Sequence, residues 1–279
     1  MSATLTIGND LTVHRLGFGA MRITGHGIWG PPADREAAIR LLKTVVEAGV
    51  DLIDTADSYG PYVSEELIGL ALAPYPAGLV VATKAGLTRS GPGKWHPDGR
   101  PQHIREACEG SLRRLRLECI DLYQFHRPDP DVPFEESVGT LAALKAEGKI
   151  RHVGLSNVTT EQLERARAIV EIVTVQNRYN LADREHEDVL EACERAGIGF
   201  IPWFPLATGD LAKPGGRLDR IAAAHGATPS QIALAWLLQR SPVMLPIPGT
   251  SSIAHFDENQ QAAAIVLTAE EYAELDAAA

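Results

Sequence analysis

The sequence predicts a (β/α)8 TIM barrel, an α/β fold, with an N-terminal β-hairpin. Its 279 residues lie close to the size of one such barrel, typically about 250 residues. Short β-branched runs alternate with amphipathic segments, which is typical of βαβ units and a parallel sheet. The candidate strands number eight, which favours a closed barrel over an open doubly wound sheet with about five or six strands.

The strand and helix candidates follow each other in regular order. Strands are predicted at residues 15–19, 51–54, 79–84, 119–126, 150–156, 172–176, 198–204 and 243–247. Helices are predicted at residues 35–48, 64–72, 101–115, 134–147, 160–169 and 184–196. Residues 218–239 have room for two helices, because Thr228 and Pro229 supply a cap and a first-turn proline for the second.

The first residues precede this repeat. Residues 4–7 and 11–13 flank a Gly8-Asn9-Asp10 turn, which indicates a hairpin ahead of the first barrel strand. Two loops rich in glycine and proline, residues 85–100 and 206–216, follow the third and seventh strands, at the end of the barrel where active sites are built. We find no linker that divides the chain, so residues 1–279 are expected to form one domain.

Composition narrows the class of protein. A net charge of -10 argues against broad binding to nucleic acid or to anionic membranes, since both require a basic surface. Cys108, Cys119 and Cys193 lie outside any CxxC pattern, so neither a disulfide framework nor a zinc site is predicted. No secretion signal and no run of about 18 apolar residues is present, so a cytoplasmic protein is expected.

Four polar residues fall at or just beyond the carboxyl ends of successive strands: Asp54, Tyr59, Lys84 and His126. Parallel barrel strands end at one rim, so these side chains are expected to converge there. A phenol is a poor acid near neutral pH, and we expect the Lys84 ammonium to lower the pKa of Tyr59. Asp54 would provide the counter-charge for Lys84, and His126 would orient a substrate carbonyl.

Each of these residues has a structural interpretation when taken alone. An Asp–Lys pair in a barrel is more often structural than catalytic, and a histidine or tyrosine at a strand end often caps a loop. The convergence of all four at one rim is what predicts catalysis.

The same residues lie within longer motifs. These motifs are residues 16–21 (LGFGAM), 54–60 (DTADSYG), 83–84 (TK), 121–126 (DLYQFH), 154–157 (GLSN), 175–180 (VQNRYN), 247–250 (IPGT) and 258–259 (EN). In order and spacing they resemble the aldo-keto reductase family over essentially the whole chain. The resemblance implies carbonyl reduction by a tetrad of Asp54, Tyr59, Lys84 and His126, with Tyr59 as the general acid.

No GxGxxG motif opens a helix after a strand, so a Rossmann site is not predicted. The resemblance instead implies NADPH, its nicotinamide amide held by Ser156, Asn157 and Gln176 and its ring stacked on Trp203. Residues 209–211 would close over the pyrophosphate. The full set of expected cofactor contacts is Gly19, Ala20, Met21, Asp54, Ser156, Asn157, Gln176, Trp203, Phe204, Leu206, Gly209, Ile247, Gly249, Thr250, His255, Glu258 and Asn259.

The adenosine end departs from the best-known family pattern. Gly249 and His255 stand where a lysine and an arginine clamp the 2'-phosphate. Hydroxyl groups of residues 250–252 and the start of the next helix still offer phosphate ligands. NADPH is what the resemblance to the family implies, with NADH as an alternative.

The expected substrate contacts are Trp29, Tyr62, Trp95 and His126. The chain after residue 266 is too short for the long loop that narrows the pocket of steroid-handling relatives, so an open pocket is expected. Residues 27–35 (GIWGPPADR), 59–63 (YGPYV), 204–206 (FPL) and 233–242 (ALAWLLQRSP) look like a bacterial subgroup of the family that includes pyridoxal reductases. This similarity implies reduction of pyridoxal to pyridoxine, although other small aromatic aldehydes suit the site equally.

Two other classes of protein were weighed. A cofactor-sensing regulatory subunit of the same fold would bind NADPH with little turnover, and the intact tetrad argues against it. A barrel with metal or sugar-phosphate chemistry would need clustered histidine and carboxylate ligands, which the sequence lacks. A monomer or weak oligomer acting on a small carbonyl compound is expected.

Overall fold

The computed structural model describes residues 3–206 and 216–277. It begins with the predicted antiparallel hairpin, formed by β1 (Thr4–Ile7) and β2 (Leu11–His14). Gly8 and Asn9 of the connecting turn both have positive φ angles, as a tight hairpin turn requires.

In residues 3–206 and 216–277, seven parallel strands form the barrel wall, and β6 and β7 form a separate hairpin. In chain order the strands are β3 (Phe18–Gly19), β4 (Leu52–Asp54), β5 (Val80–Ala85), β6 (Leu87–Gly91), β7 (Lys94–Pro97), β8 (Ile120–Phe125), β9 (Ile150–Ser156), β10 (Ile172–Arg178) and β11 (Gly199–Trp203). The wall runs in the order β3, β4, β5, β8, β9, β10, β11. Each wall strand lies within the range predicted for it or within two residues of it.

Residues 243–248 occupy the eighth strand position without forming a regular ladder. The Phe200 amide donates to the Val243 carbonyl and the Leu245 amide to the Phe200 carbonyl, both at 2.8 Å. On the other side, the Gly17 amide donates to the Pro246 carbonyl at 2.9 Å. Pro246 and Pro248 have no amide hydrogen, so only half of a ladder can form here. The barrel is nevertheless closed, which confirms the predicted fold.

The helices cover the outside of this wall. They are α1 (Arg35–Glu47), α2 (Val63–Leu72), α3 (Pro101–Leu115), α4 (Phe134–Ala146), α5 (Thr160–Arg167), α6 (Glu187–Ala196), α7 (Arg217–His225), α8 (Pro229–Arg240), α9 (Ile253–Gln261) and α10 (Ala269–Asp276). The region 218–239 does contain two helices, and Thr228 caps α8 through a reciprocal bond with Gln231. The prediction for α6 began three residues early, because Asn180 and Asp183 first form a backbone turn. In the described part of the chain, no helix is long and apolar enough to span a bilayer.

The loop predicted at residues 85–100 was wrong in part. Leu87–Gly91 and Lys94–Pro97 pair as an antiparallel hairpin, β6–β7, beside the carboxyl end of the barrel. Its turn is made by Gly91, Pro92 and Gly93, with positive φ at both glycines. This turn chemistry allows two short strands where glycine and proline content alone indicated an irregular loop.

The barrel interior is sealed at its amino end. Ile7, Leu11 and Val13 of the hairpin pack into one buried cluster with inward side chains of the wall: Leu52, Val80, Ala82, Leu122, Val173, Ile201, Leu245 and Ile247. Alternate residues of the same strands, such as Ile53 and Val81, face the helices instead. The apolar plug at the amino end leaves the carboxyl end as the place where polar side chains meet a cavity.

Helices α2 and α3 are in close contact at Gly69. A Cβ atom there would overlap the carbonyl oxygen of Arg114, which belongs to the backbone and cannot move aside cheaply. We expect Gly69→Ala to lower the free energy of unfolding by about 1–3 kcal/mol, the usual cost of overpacking. Urea unfolding followed by circular dichroism measures it.

Gly139 provides the matched control, since it also lies inside a helix but has open space around its Cβ direction. Gly139→Ala is expected to raise stability by up to about 1 kcal/mol through helix propensity. Equal effects of the two substitutions would contradict the close approach of α2 and α3.

Candidate active site

A cavity of about 630 Å³ opens at the carboxyl end of the barrel. Most of the residues expected at the site line it: Gly19, Met21, Asp54, Tyr59, Trp95, His126, Ser156, Asn157, Gln176, Trp203, Phe204, Leu206, Ile247 and Gly249. The strand ends therefore do bring residues that are distant in sequence to one place.

Lys84 is completely buried and lies at the centre of the polar cluster. Its Nζ donates to Asp54 Oδ1 at 2.6 Å, to the Thr55 carbonyl oxygen at 2.9 Å and to the Tyr59 hydroxyl at 3.4 Å. All three donor positions of the ammonium are thus used. Burial lowers the pKa of Lys84, but the contacts with Asp54 and Tyr59 outweigh it and hold the pKa above the ordinary value.

The carboxylate of Asp54 is held on both oxygens. Oδ1 accepts from Lys84, while Oδ2 accepts the side-chain amides of Gln124 at 3.0 Å and Gln176 at 2.9 Å. These amides, from β8 and β10, fix the carboxylate from across the barrel. Gln124 was not predicted as part of this cluster. Its position could have indicated this role, because Gln124 precedes His126 by two residues at the end of β8 and side chains two residues apart share one face of an extended segment.

The expectation for the acidity of Tyr59 was wrong in direction. Burial raises the pKa of the phenol, Lys84 opposes this, and Asp54 adds to it, so that the pKa lies above the ordinary value of about 10. The nearby ammonium limits the rise rather than producing a net fall. Tyr59 consequently holds its proton throughout the neutral range, and its ring is buried with only 7% of its surface exposed.

His126 completes the cluster from the end of β8. Its ring stands edge-on to the Tyr59 ring, with centroids 5.8 Å apart, and its Nδ1 lies 3.4 Å from Ser58 Oγ. Burial, together with the charges of Lys84 and Arg127, holds the pKa of His126 well below its usual range. The imidazole is therefore neutral at neutral pH and has one N–H to donate.

A further part of the cavity wall is organised by Asn157, which has a left-handed backbone with φ of +58°. Its Nδ2 donates to the His126 carbonyl and to Ser156 Oγ, both at 2.9 Å, and its Oδ1 accepts from Trp203 Nε1 at 3.1 Å. Ser156, Asn157 and Gln176 all line the cavity, and the side-chain amides of Asn157 and Gln176 also bond neighbouring residues of the barrel.

Only some of the residues expected to contact the cofactor near its adenosine end line the cavity. Gly249 lines the cavity, whereas Ala20, Thr250, His255, Glu258 and Asn259 lie outside its lining. The side chain of Glu258 is engaged elsewhere, because it accepts a 2.7 Å bond from the cap residue Thr228. Gly209 lies outside the described residues.

Two of the expected substrate contacts are not among the residues that line the cavity. Tyr62 is half exposed, and its ring packs on the Arg114 guanidinium at 4.2 Å. Trp29 faces Arg89, and its backbone forms a bridge with Gly60. Loop side chains follow local packing, which a sequence pattern does not reveal. Of the four expected contacts, Trp95 and His126 line the cavity.

Sequence reasoning missed six lining residues: Arg22, Ile28, Leu87, Arg127, Pro205 and Pro248. Several stand next to a predicted position, since Arg22 follows Met21 and Arg127 follows His126. Adjacency to a motif at a strand end was the available signal for them. Leu87 had none, because it enters the lining through the unexpected hairpin.

Comparison with known proteins agrees with this architecture. Residues 15–279 match the model of the aldo/keto reductase family. The chain is 54% identical over 275 residues to an uncharacterized oxidoreductase of Schizosaccharomyces pombe, covering 99% of this chain and 89% of that protein. It is 43% identical over 282 residues to pyridoxine 4-dehydrogenase of Escherichia coli, covering 99% and 98%. An aldo-keto reductase of Klebsiella pneumoniae, solved in complex with NADPH, superimposes with a TM-score of 0.84 at 30% identity, covering 100% of this chain and 95% of that one.

Proposed function

Since the chain belongs to the aldo/keto reductase family, we propose that it uses NADPH to reduce a small aldehyde or ketone to an alcohol. The observation that carries this proposal is the buried Lys84 ammonium, bonded to the hydroxyl of Tyr59 at the wall of a cavity. A protonated phenol beside a buried cation is suited to protonating a carbonyl oxygen.

The cavity suits a nicotinamide dinucleotide. Gly19 and Gly249 both line it, and their backbones pack so closely that a Cβ at Gly19 would lie 2.6 Å from the Ile247 carbonyl oxygen and one at Gly249 would lie 2.6 Å from the Gly19 carbonyl oxygen. Arg22 and Gly249 both line the cavity at this end, and the arginine offers a cation for phosphate. Ser156, Asn157 and Gln176 offer polar atoms for the nicotinamide amide, and Trp203 offers an aromatic face.

When bound, the reduced cofactor would supply a hydride to the carbonyl carbon. The residues of the chain would then act on the oxygen. Tyr59 would donate its hydroxyl proton to it, so that negative charge never accumulates on an alkoxide. Lys84, held by Asp54, would stabilise the phenolate left behind, and neutral His126 would donate a hydrogen bond that orients the oxygen.

Pyridoxal is the substrate we propose first. The similarity to pyridoxine 4-dehydrogenase of Escherichia coli supports it, since the reverse of that reaction reduces pyridoxal. The aromatic ring of Trp95 beside Tyr59 gives the cavity a flat apolar face that suits an aromatic aldehyde.

The test is steady-state oxidation of NADPH, followed by absorbance, with a panel of aldehydes that includes pyridoxal. We expect turnover with aromatic aldehydes and a preference for NADPH over NADH. Tight binding of NADPH without turnover on any aldehyde would instead support the cofactor-sensing subunit. A strong preference for NADH would contradict the proposed cofactor.

A further inference from the structure

We propose that Arg89 is a positioning residue that builds the substrate wall of the cavity and so determines which carbonyl compounds the enzyme accepts. The inference rests on the proposed function, but it is carried by a separate set of contacts. Arg89 lies on β6 and does not itself line the cavity.

The guanidinium of Arg89 bonds main-chain carbonyl oxygens from three separate segments. Its donors reach Ile28 at 2.7 Å, Gly27 at 2.9 Å, Ser58 at 2.9 Å, Lys94 at 3.1 Å and Gly91 at 3.4 Å. The planar guanidinium with its five N–H donors, called the fork below, bonds carbonyl groups of all three segments. Because its geometry is rigid, it sets the positions of these segments relative to one another.

The first segment contains a strained residue. Ile28 has a φ of +56°, a conformation that a β-branched side chain adopts only when its surroundings enforce it. Its carbonyl oxygen accepts from Arg89 Nη1 and also from the Gly60 amide at 3.3 Å. Ile28 is one of the residues that line the cavity. The fork therefore helps to hold a costly backbone conformation that places a wall residue.

The second contact is with an aromatic ring. The guanidinium carbon of Arg89 lies 3.5 Å from the centroid of the Trp95 ring, a close cation–π contact. Trp95 in turn stands edge-on to Tyr59, with ring centroids 6.3 Å apart. Arg89 thus fixes the aromatic surface beside the proposed proton donor.

The contacts of Arg89 lie with residues expected to contact the carbonyl substrate and not with those expected to contact the cofactor. Ile28 and Trp95 line the cavity on the side of Arg89, and Ser58 immediately precedes Tyr59. Arg89 forms none of its hydrogen bonds with Asn157 or Trp203, two other lining residues that bond each other and that we expect to contact the cofactor. Loss of the fork should therefore weaken binding of the carbonyl compound and leave binding of the cofactor unchanged.

The experiment measures the Kd of benzaldehyde for the complex with NADP+ by calorimetry, which requires no turnover. We expect Arg89→Met to raise this Kd by about tenfold or more, with the Kd of NADPH changed by less than about twofold. For propanal, which is too small to contact the whole wall, the expected rise is about threefold or less. In steady state, KM for benzaldehyde should rise more than kcat falls.

Arg89→Lys and Trp95→Leu keep the test decisive if Arg89→Met folds poorly. Lysine retains the charge but not the fork, so we expect it to raise the Kd of benzaldehyde nearly as much as methionine does. The double variant Arg89→Met/Trp95→Leu should be no worse than the stronger single variant, because both act on one surface.

Three results would overturn the role of Arg89. The first is an unchanged Kd for benzaldehyde in Arg89→Met, and the second is a rise in the Kd of propanal and of NADPH as large as that for benzaldehyde. The third is a wild-type Kd for benzaldehyde in Arg89→Lys. Failure of the proposed function looks different. If the wild-type enzyme reduces no aldehyde, while the Kd of benzaldehyde still rises in Arg89→Met, the reductase proposal fails and the positioning role stands.

Discussion

Tyr59→Phe is expected to lower kcat by about 100- to 10,000-fold, the range of a lost general acid. Phenylalanine keeps the ring, its edge contact with His126 and the shape of the cavity, and removes only the proton donor. The Kd of NADPH, measured by the fluorescence of the bound nicotinamide, should stay within about twofold, since the hydroxyl bonds Lys84 and no expected cofactor contact. Steady-state kinetics with pyridoxal measures the loss.

The matched control is Tyr123→Phe. Tyr123 lies on β8, is fully buried, and its hydroxyl has no hydrogen-bond partner among the described residues. Removing this hydroxyl should preserve kcat and leave stability equal or slightly higher, because an unsatisfied buried group is lost. A Tyr59→Phe enzyme with kcat near that of the wild type would remove Tyr59 from the proposed role.

The acidity of Tyr59 also predicts the pH profile of reduction. A general acid acts in its protonated form, so the rate is retained below its pKa and is lost as the pH rises through it. Burial raises the pKa of Tyr59 above that of an ordinary phenol. The contribution of this group to kcat for reduction should therefore be constant through the neutral range and decline only in strongly alkaline solution. Tyr59→Phe should lack that alkaline decline.

Lys84→Met is the second substitution with a large expected effect. It removes the cation that would stabilise the phenolate, for which we expect kcat to fall by about 100- to 1,000-fold, as for a lost oxyanion donor. It also leaves Asp54 buried at 2% exposure without its counter-charge. Breaking a buried pair in this way should lower the free energy of unfolding by about 3–5 kcal/mol.

Lys149→Met is the control for this loss. Lys149 pairs with Glu109 and Glu147 at the surface, and such pairs contribute about 1 kcal/mol or less. Its kcat should match the wild type. Activity is compared at a temperature where urea unfolding shows Lys84→Met to be folded. A folded Lys84→Met enzyme that retains more than a tenth of the wild-type kcat would contradict the role of the ammonium.

The tetrad could be located from the sequence because its members follow strands, and parallel strands of one barrel end at one rim. The order of the strands alone predicts that Asp54, Lys84 and His126 lie close together. Gly19 and Gly249 were expected at the site on other grounds, because they lie in motifs that resemble the aldo-keto reductase family. The apolar residues of the eighth strand predicted its position. Its hydrogen bonding is incomplete, because Pro246 and Pro248 have no amide hydrogen to donate to a neighbouring strand.

The errors lie where a side chain depends on a neighbour that is distant in sequence. Trp29 and Tyr62 were expected to line the cavity because they are aromatic loop residues, yet neither is in its lining and their rings face Arg89 and Arg114. The acidity of Tyr59 was inferred from its charged neighbour alone, and burial proved to be the larger effect. Arg89 was passed over because nothing in its own segment indicates the three segments that it joins.

The sequence by itself determined the barrel, the hairpin that plugs its amino end and the four polar residues at its rim. These follow from periodicity and from the order of strands, which are local properties of the chain. Only the tertiary structure decided how deeply Tyr59 is buried, which aromatic rings face the cavity and what Arg89 holds. Those outcomes depend on desolvation and on contacts between separate loops, and such contacts exist only once the chain has closed on itself.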